Sequence, residues 1–328
     1  MSEAHTTPPQ ASSETTPATP PTAAQQTQKK RPPKKRSPKK RSLSARGWIP
    51  DYHGAWAMVF VPITLGIVLG GWTPAQVPLY LLWVIGYFCF FALTKWFVAR
   101  RNSLYAMPVK VYTCISVVLG ILTIWWAPKL LLWAPWFAIL VIATVVLIKV
   151  RKERTMAARG ITVAAGVLMG AVSYDLGTDF QRAGFPLLPV PVNTTMAALP
   201  GHNWSSSVTG WNWMWLVCLV LFLYFFGTVP VVKTVIRERR STPHLVFSIA
   251  FHAVVAVLAL VSAILSWTGW ILFALFVVLL ARSAYFPLSM RYQGKKWRAK
   301  TIGITELVFT VLVIAARFLP LEFSPRER

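Results

Sequence analysis

Long apolar stretches alternate with short polar ones over most of the chain. A helix that crosses a bilayer needs about 20 apolar residues, with roughly 17 to 25 tolerated. Nine stretches of this kind occur, at residues 54–72, 77–99, 109–127, 130–149, 159–175, 211–232, 244–266, 268–287 and 301–319. The pattern therefore predicts an all-α protein, a polytopic membrane helix bundle with nine transmembrane helices.

Lys and Arg residues accumulate in every second connection between these stretches. The basic connections lie near residues 100–110, 149–159, 233–240 and 282–300, whereas the alternate ones carry only Lys129 and Arg182. Basic loops of membrane proteins are the cytoplasmic ones. We therefore expect the N-terminus inside, and nine crossings then place the C-terminus outside.

Composition separates a polar tail from the apolar bundle. Charged residues make up 13% of the chain, against about 25% in soluble domains. Residues 1–47 are rich in Pro, Thr, Lys and Arg, which predicts a disordered, basic cytoplasmic tail without a cleavable signal peptide. The transmembrane bundle is expected at 48–320, and 321–328 form a short C-terminal tail.

The net charge of +24 raises the question of a polyanionic partner. Positive charge beside a first membrane helix orients that helix and attracts anionic lipid, by about 1 kcal/mol per Lys or Arg. We therefore expect membrane lipids as partners, with anionic lipid contacted by the basic tail, and no nucleic acid. The sequence identifies no protein partner.

The start of the first apolar stretch combines an acid, an imidazole and an indole. Asp51 is placed to cap the first helix. His53 would then lie in the first turn, where free backbone N–H groups favour an anion. The alternative interpretation makes His53 and Trp56 aromatic anchors at the lipid headgroups.

Further charged residues are expected on the same cytoplasmic side. Glu306 lies about one and a half turns into the last stretch, and acids at membrane depth are usually paired or functional. It is predicted either to form an ion pair, with Lys300 and Arg298 nearby, or to line a cytoplasm-facing cavity. The candidate ligand-binding residues are Asp51, His53, Trp56, Arg100, Arg101, Arg237, Glu238 and Glu306.

Metal and cofactor chemistry has weaker support. Asp175 and Asp179 are four residues apart and could hold a divalent cation, but a solvated turn is the preferred interpretation. His53 and His252 lie on different stretches, as haem ligation by two imidazoles requires, although a packing role is simpler. No metal site is predicted, and the cofactor and any catalytic residue stay unknown.

Several segments resemble a known family. His53-Gly54-Ala55-Trp56-Ala57-Met58, followed by Pro62, resembles the opening signature of the YwiC-like family of bacterial membrane proteins, and Ile236-Arg237-Glu238-Arg239 and Lys300-Thr301-Ile302-Gly303-Ile304-Thr305-Glu306 resemble its later blocks. The resemblance covers residues 48 to about 320. It implies a membrane helix bundle and does not indicate a particular reaction.

A second resemblance concerns architecture alone. Nine spans with the N-terminus inside is also similar to the plan of UbiA-type prenyltransferases, which hold Mg²⁺ and a prenyl diphosphate on Asp-rich loops. Residues 99–108 and 233–240 contain no paired aspartates, so a metal–diphosphate site is not expected there. Guanidinium groups could still bind phosphate directly.

These features favour a protein of the bacterial cytoplasmic membrane that binds or handles an anionic lipid or isoprenoid phosphate at its cytoplasmic side. One alternative is a proton-coupled transporter that uses Glu306, His53 and Lys95. Another is a non-catalytic assembly or interaction factor for a membrane complex. The residues leave open whether the chain is an enzyme.

Overall fold

The computed structural model describes residues 43–50, 55–99, 103–152, 154–180, 210–239 and 241–318. Within these residues all regular secondary structure is helical, as the sequence predicts. The α-helices are α1 (Ala55–Gly70), α2 (Gln76–Val98), α3 (Ala106–Trp126), α4 (Ala134–Lys149), α5 (Met156–Gly177), α6 (Gly210–Val232), α7 (Thr242–Ile264), α8 (Trp270–Tyr292) and α9 (Ala299–Phe318). A 3-10 helix, Pro128–Trp133, precedes α4, and a π-helical turn, Lys233–Arg237, continues α6.

Seven helical segments, those of α2 to α8, are long and apolar enough to cross a membrane, and α4 reaches this length together with the 3-10 helix that precedes it. Helix α1 and the apolar part of α9, Thr301–Ala316, are shorter. Outward-facing side chains on α3 and α4 are large and apolar, as Trp125 and Ile142 illustrate with exposures of 83% and 62%. Exposing such an apolar surface to water is unfavourable, whereas contact with lipid is not. Together with the seven long apolar segments, this surface indicates a multi-pass membrane protein.

Helix α1 packs along α5, and glycines on both helices let the two backbones touch. Gly66 and Gly70 are spaced four residues apart on α1, and Gly166 and Gly170 have the same spacing on α5. A Cβ atom at Gly170 would lie only 2.8 Å from the carbonyl oxygen of Pro62 in α1. Small residues at this spacing allow membrane helices to approach closely.

The other helices pack in sequence around this pair. Helix α2 pairs with α3, α5 contacts α4 and α6, and the pairs α6–α7, α7–α8 and α8–α9 continue the bundle. Large side chains from α6, including Trp211, Trp213 and Phe225, are almost completely buried. Helices α5 and α6 therefore provide the centre of the core.

Residues 43–50 form a turn beside the start of α3 and include the last residues of the predicted tail. The Tyr112 hydroxyl donates to the Trp48 carbonyl oxygen at 2.6 Å, and the two rings lie edge to face at 5.8 Å. Gly47 has a φ of 83° and faces the Tyr105 ring. This turn therefore contacts the bundle at α3.

Asp175 is not in a solvated turn, contrary to the interpretation of the sequence. It is fully buried at the end of α5, where Trp133 Nε1 donates to its Oδ2 atom at 2.8 Å. The 3-10 helix carries Trp133 into the core, where its ring stacks on Trp211. Asp179 is exposed and pairs with Lys129 at 3.8 Å. The two carboxylates thus have different surroundings, which does not support a shared cation site.

Candidate functional site

Polar side chains from four helices meet inside the α6–α9 half of the bundle. Arg282 of α8 and Glu306 of α9 form an ion pair with 2.8 Å between Nη1 and Oε1, and the residues are only 6% and 9% exposed. The Tyr224 hydroxyl of α6 donates to the Glu306 carbonyl oxygen at 2.8 Å and lies 3.0 Å from Thr310 Oγ1. With His252 of α7, these residues form what we call the buried polar cluster.

The imidazole of His252 has a defined orientation in this cluster. Its Nδ1 atom lies 2.7 Å from the Ser248 carbonyl oxygen, and because a carbonyl only accepts, Nδ1 is the donor. Nε2 faces α6, where a Cβ atom at Gly227 would lie 3.1 Å away. The glycine therefore makes room for the ring, which is close enough to Arg282 for the two groups to interact electrostatically.

The ion pair is incompletely hydrogen-bonded. Its Nη1 and Oε1 atoms are not aligned for a hydrogen bond, and Glu306 Oε2 and Arg282 Nε have no hydrogen-bond partner among the described residues. The Arg282 guanidinium also lies over the Phe309 ring, 4.9 Å from its centroid. Buried polar atoms in native proteins nearly always have partners. The cluster therefore contains polar atoms that the described side chains do not satisfy.

An apolar layer lies between this cluster and the nearby helix ends. The layer, which we call the apolar plug, consists of Val231, Val235, Phe286 and Ile302. Phe286 follows Arg282 by one helical turn, and Ile302 precedes Glu306 by one turn. Trp297 packs on Phe286 with 4.8 Å between ring centroids. The plug closes the cluster towards this end of the bundle.

Basic residues from α6 to α8 converge beyond the plug. Arg291 Nε donates to the Arg239 carbonyl oxygen at 3.3 Å, and Nη1 donates to Thr242 Oγ1 at 3.4 Å. These bonds tie the end of α8 to the connection between α6 and α7. Arg237 is exposed at the end of the π-helical turn, and Glu238 follows it, half-buried. We call Arg237, Arg239 and Arg291 the basic surface.

Trp56 occupies a different part of the bundle. Its ring contacts Phe60 in α1 and Tyr87 and Phe88 in α2, each with 5.7 Å between centroids. Over the residues that the structure describes, no hydrogen bond, ion pair or ring contact joins it to the basic surface or the buried polar cluster. The other predicted site residues, Asp51, His53, Arg100 and Arg101, lie outside the described residues.

The position of Arg282 corrects the sequence interpretation. The charge pattern assigned Arg282 to a basic loop, but the structure buries it within α8, where it is the partner of Glu306. Arg282 follows a long apolar run that ends at Ala281. A cation at such a position is usually paired inside the bundle, and this pattern could have predicted its burial. The contributions of Tyr224 and Thr310 were also missed, because hydroxyl residues are common in apolar helices and carry no such signal.

Comparisons with known proteins cover most of this chain. Residues 49–174 match the family model described as "YwiC-like protein". A Bacillus subtilis (strain 168) protein named "Uncharacterized protein YwiC" is 28% identical over 281 residues, which is 83% of this chain and 97% of that protein. The chain is therefore similar to the YwiC-like family over residues 49–174, and to this relative over most of its length. An "Uncharacterized protein" of Haemophilus influenzae (strain ATCC 51907 / DSM 11121 / KW20 / Rd) is 24% identical to this chain over 274 residues, 82% of it and 98% of the relative.

The matched residues of the chain place the family signature on α1 to α5. They include Trp56 and the glycines of the α1–α5 contact, whereas the buried polar cluster lies beyond residue 174. No solved structure matches the chain, and the similarity to UbiA-type prenyltransferases stays a prediction. Within the described part of this protein, no three His, Cys, Asp or Glu residues are grouped as metal ligands.

Proposed function

We propose that all nine α-helices cross a bacterial cytoplasmic membrane, with the N-terminus inside and the C-terminus outside. The bacterial relatives and the alternation of basic connections support this topology. Helix α1 is short, but it touches α5 from Met58 beside Gly166 to Gly71 beside Gly177. Because α5 is a membrane-spanning helix by length and composition, a helix that follows it over this distance shares its depth.

We infer that the protein binds an anionic amphiphile, a lipid or isoprenoid phosphate, at the basic surface. The observation that carries this proposal is the bonding of Arg291 to Arg239 and Thr242, which gathers the basic ends of α6 and α8. Guanidinium groups bind phosphate oxygens in bidentate geometry. Glu306 does not repel such a ligand, because Arg282 offsets its charge.

The remaining predicted residues complete the proposed ligand site. Asp51, His53 and Trp56 stand at the start of the first span, and Arg100 and Arg101 follow the second. Glu238 belongs to the same connection as Arg237. Under the proposed topology these segments share the cytoplasmic side with the basic surface, and the basic tail adds contacts with anionic lipid.

Replacement of Arg237 tests this function. We expect Arg237→Gln to weaken binding of a polyprenyl monophosphate by about tenfold, since a charge-assisted hydrogen bond contributes about 1.5–3 kcal/mol. Native mass spectrometry of the full-length protein titrated with the phosphate and with the neutral prenol measures both affinities. The Arg237 side chain is exposed, so the change should leave the fold intact.

Lys149→Gln is the matched control, because it removes one exposed charge from the end of α4. His53→Ala is the second test variant. The proposal fails if Arg237→Gln and His53→Ala both bind the phosphate as the Lys149→Gln variant does. Equal binding of the phosphate and the prenol by the unmodified protein would also contradict it.

The buried polar cluster favours a second function, proton-coupled transport. It contains a carboxylate paired with Arg282 and an imidazole that interacts electrostatically with the same arginine, and the apolar plug lies on one side of it. Acids and histidines in such positions form proton pathways in transporters, and alternating access needs a closed gate on one side of the site. In this function the Arg282–Glu306 pair would open during the transport cycle.

A further inference from the structure

A second site lies at the bundle end opposite the basic surface. An apolar groove of about 320 Å³ runs between α2, α3, α4 and α5 and is lined by Gly86, Gly120, Trp133 and Phe137 among others. A Cβ atom at Gly86 or Gly120 would meet no other atom within 4 Å. These two glycines therefore leave space that no side chain of the described bundle fills.

A second cavity, which we call the mouth, lies beside the groove and carries two opposite charges on its wall. It has a volume of about 420 Å³ and is lined by Ala75, Lys129, Leu176 and Asp179, with six further residues. Ala75 lies one helical turn before Leu79 on α2, which lines the groove. Leu176 likewise lies one turn after the groove residue Val172 on α5, so the cavity and the groove are neighbours along both helices.

The dimensions of the groove fit one leaflet of a bilayer. From Ala75 in the mouth to Gly86 in the groove the chain rises about 16 Å along α2, and half of a hydrocarbon core is about 15 Å. The groove opens to the lipid side, since Ile124 and Leu131 in its wall are 40% and 51% exposed. Its polar wall residue Thr123 already donates to the Leu119 carbonyl oxygen at 2.6 Å. The groove thus suits a hydrocarbon chain.

Charges at the mouth match a zwitterionic headgroup. Lys129 Nζ lies 3.8 Å from Asp179 Oδ1, and the side chains are 58% and 88% exposed. Exposed ion pairs of this kind contribute little to stability, so each partner can exchange the other for a ligand group. A phosphate would bind Lys129 and an ammonium would bind Asp179.

We propose that the groove and its mouth bind one phospholipid with an amine headgroup, of the phosphatidylethanolamine type, with an acyl chain between Gly86 and Gly120. This site lies apart from the basic surface and is independent of the function proposed for it. The glycines admit the chain, and the Lys129–Asp179 pair selects the headgroup.

Native mass spectrometry of the full-length protein in mild detergent tests the site. The unmodified protein is expected to retain one phosphatidylethanolamine and to prefer it to phosphatidylglycerol and diacylglycerol. Gly86→Leu fills the groove and should lower lipid occupancy by about tenfold, and Gly120→Leu from the neighbouring helix should do the same. Gly303→Leu on α9 is the matched control, because this glycine also has open space around it.

Headgroup variants and thermal unfolding separate the outcomes. Lys129→Gln should weaken retention of both phospholipids, and Asp179→Asn should remove the preference for the amine. The proposal is overturned if both leucine variants retain lipid as Gly303→Leu does, or if the unmodified protein shows no headgroup preference. It is also overturned if the unmodified protein retains no phospholipid, whatever the unfolding temperatures of the two leucine variants.

Discussion

Arg282 and Glu306 bring opposite charges into a part of the bundle where neither would be stable alone. A single charged side chain at the bilayer centre costs about 2.5–3.5 kcal/mol on insertion scales. The pair lowers this cost, and the contacts of Tyr224 with Glu306 and Thr310 add a third helix to the interaction. A purely structural ion pair needs no unsatisfied polar atoms. Glu306 Oε2 and Arg282 Nε, however, have no hydrogen-bond partner among the described residues.

Replacement of one or both charges distinguishes a clamp from a proton site. We expect Glu306→Leu to lower the free energy of unfolding by about 3–5 kcal/mol, because it leaves a buried cation unpaired. The double variant Arg282→Met/Glu306→Leu should regain most of this loss. Thermal unfolding in detergent measures stability, and pH-driven flux in proteoliposomes measures transport by the folded double variant.

Asp179→Asn at the exposed Lys129–Asp179 pair is the control and should change stability by less than about 1 kcal/mol. A double variant as unstable as Glu306→Leu would show that the pair does more than neutralise charge. Proton flux that is present in the unmodified protein and absent from the folded double variant would support transport. Unchanged flux would exclude the cluster from the pathway.

The sequence predicts that Glu306 either forms an ion pair or lines a cavity, and it does not identify Arg282 as the partner. Helical periodicity fixes the depth of a residue in its own span. The partner of that residue depends on which helices are neighbours and how each is rotated, and neither quantity follows from a run of apolar residues. The same limit explains Asp175, whose burial depends on Trp133 arriving from a 3-10 helix about 40 residues earlier in the chain.

Among the described helices, α1 and α5 approach each other with their backbones in contact. The predicted apolar stretches 54–72 and 159–175 locate these helices to within a few residues of their observed bounds, Ala55–Gly70 and Met156–Gly177. The sequence also contained the glycine spacing of both helices, but apolar periodicity does not say which two helices associate. Lipid-like surroundings give no hydrophobic drive between helices, so close backbone packing has to hold them together.

Gly170 tests this packing. We expect Gly170→Ala to destabilise the protein by about 1–3 kcal/mol, because the new Cβ would lie 2.8 Å from the Pro62 carbonyl oxygen and 3.2 Å from Met214. Gly303→Ala introduces the same methyl group on α9, where nothing lies within 4 Å, and it should not destabilise the protein. Unfolding midpoints in detergent that shift equally for both variants would contradict a packing role for Gly170.

At the scale of the whole molecule, the two ends of the bundle differ in charge. The basic surface lies at the end where α6 and α8 finish, and the Lys129–Asp179 pair lies at the end where α3 finishes. Anionic lipids are concentrated in the cytoplasmic leaflet, where they attract Lys and Arg. The charge difference therefore predicts a definite orientation, which helix length alone does not.

Labelling of single cysteines measures this orientation and the number of crossings. In a variant with Cys89, Cys114 and Cys218 replaced by alanine, Gln293→Cys marks the connection between α8 and α9, and Leu265→Cys marks the turn between α7 and α8. Under the proposed topology, a membrane-impermeant maleimide should label Leu265→Cys in intact cells and Gln293→Cys only after permeabilisation. A cysteine added after Arg328 should be labelled in intact cells, because α9 carries the chain outward, and one at Ser2 should not. If Gln293→Cys and the C-terminal cysteine are labelled under the same conditions, α9 does not cross the membrane. If the cysteine at Ser2 is labelled in intact cells, the orientation is the reverse of the proposed one and the basic surface lies outside.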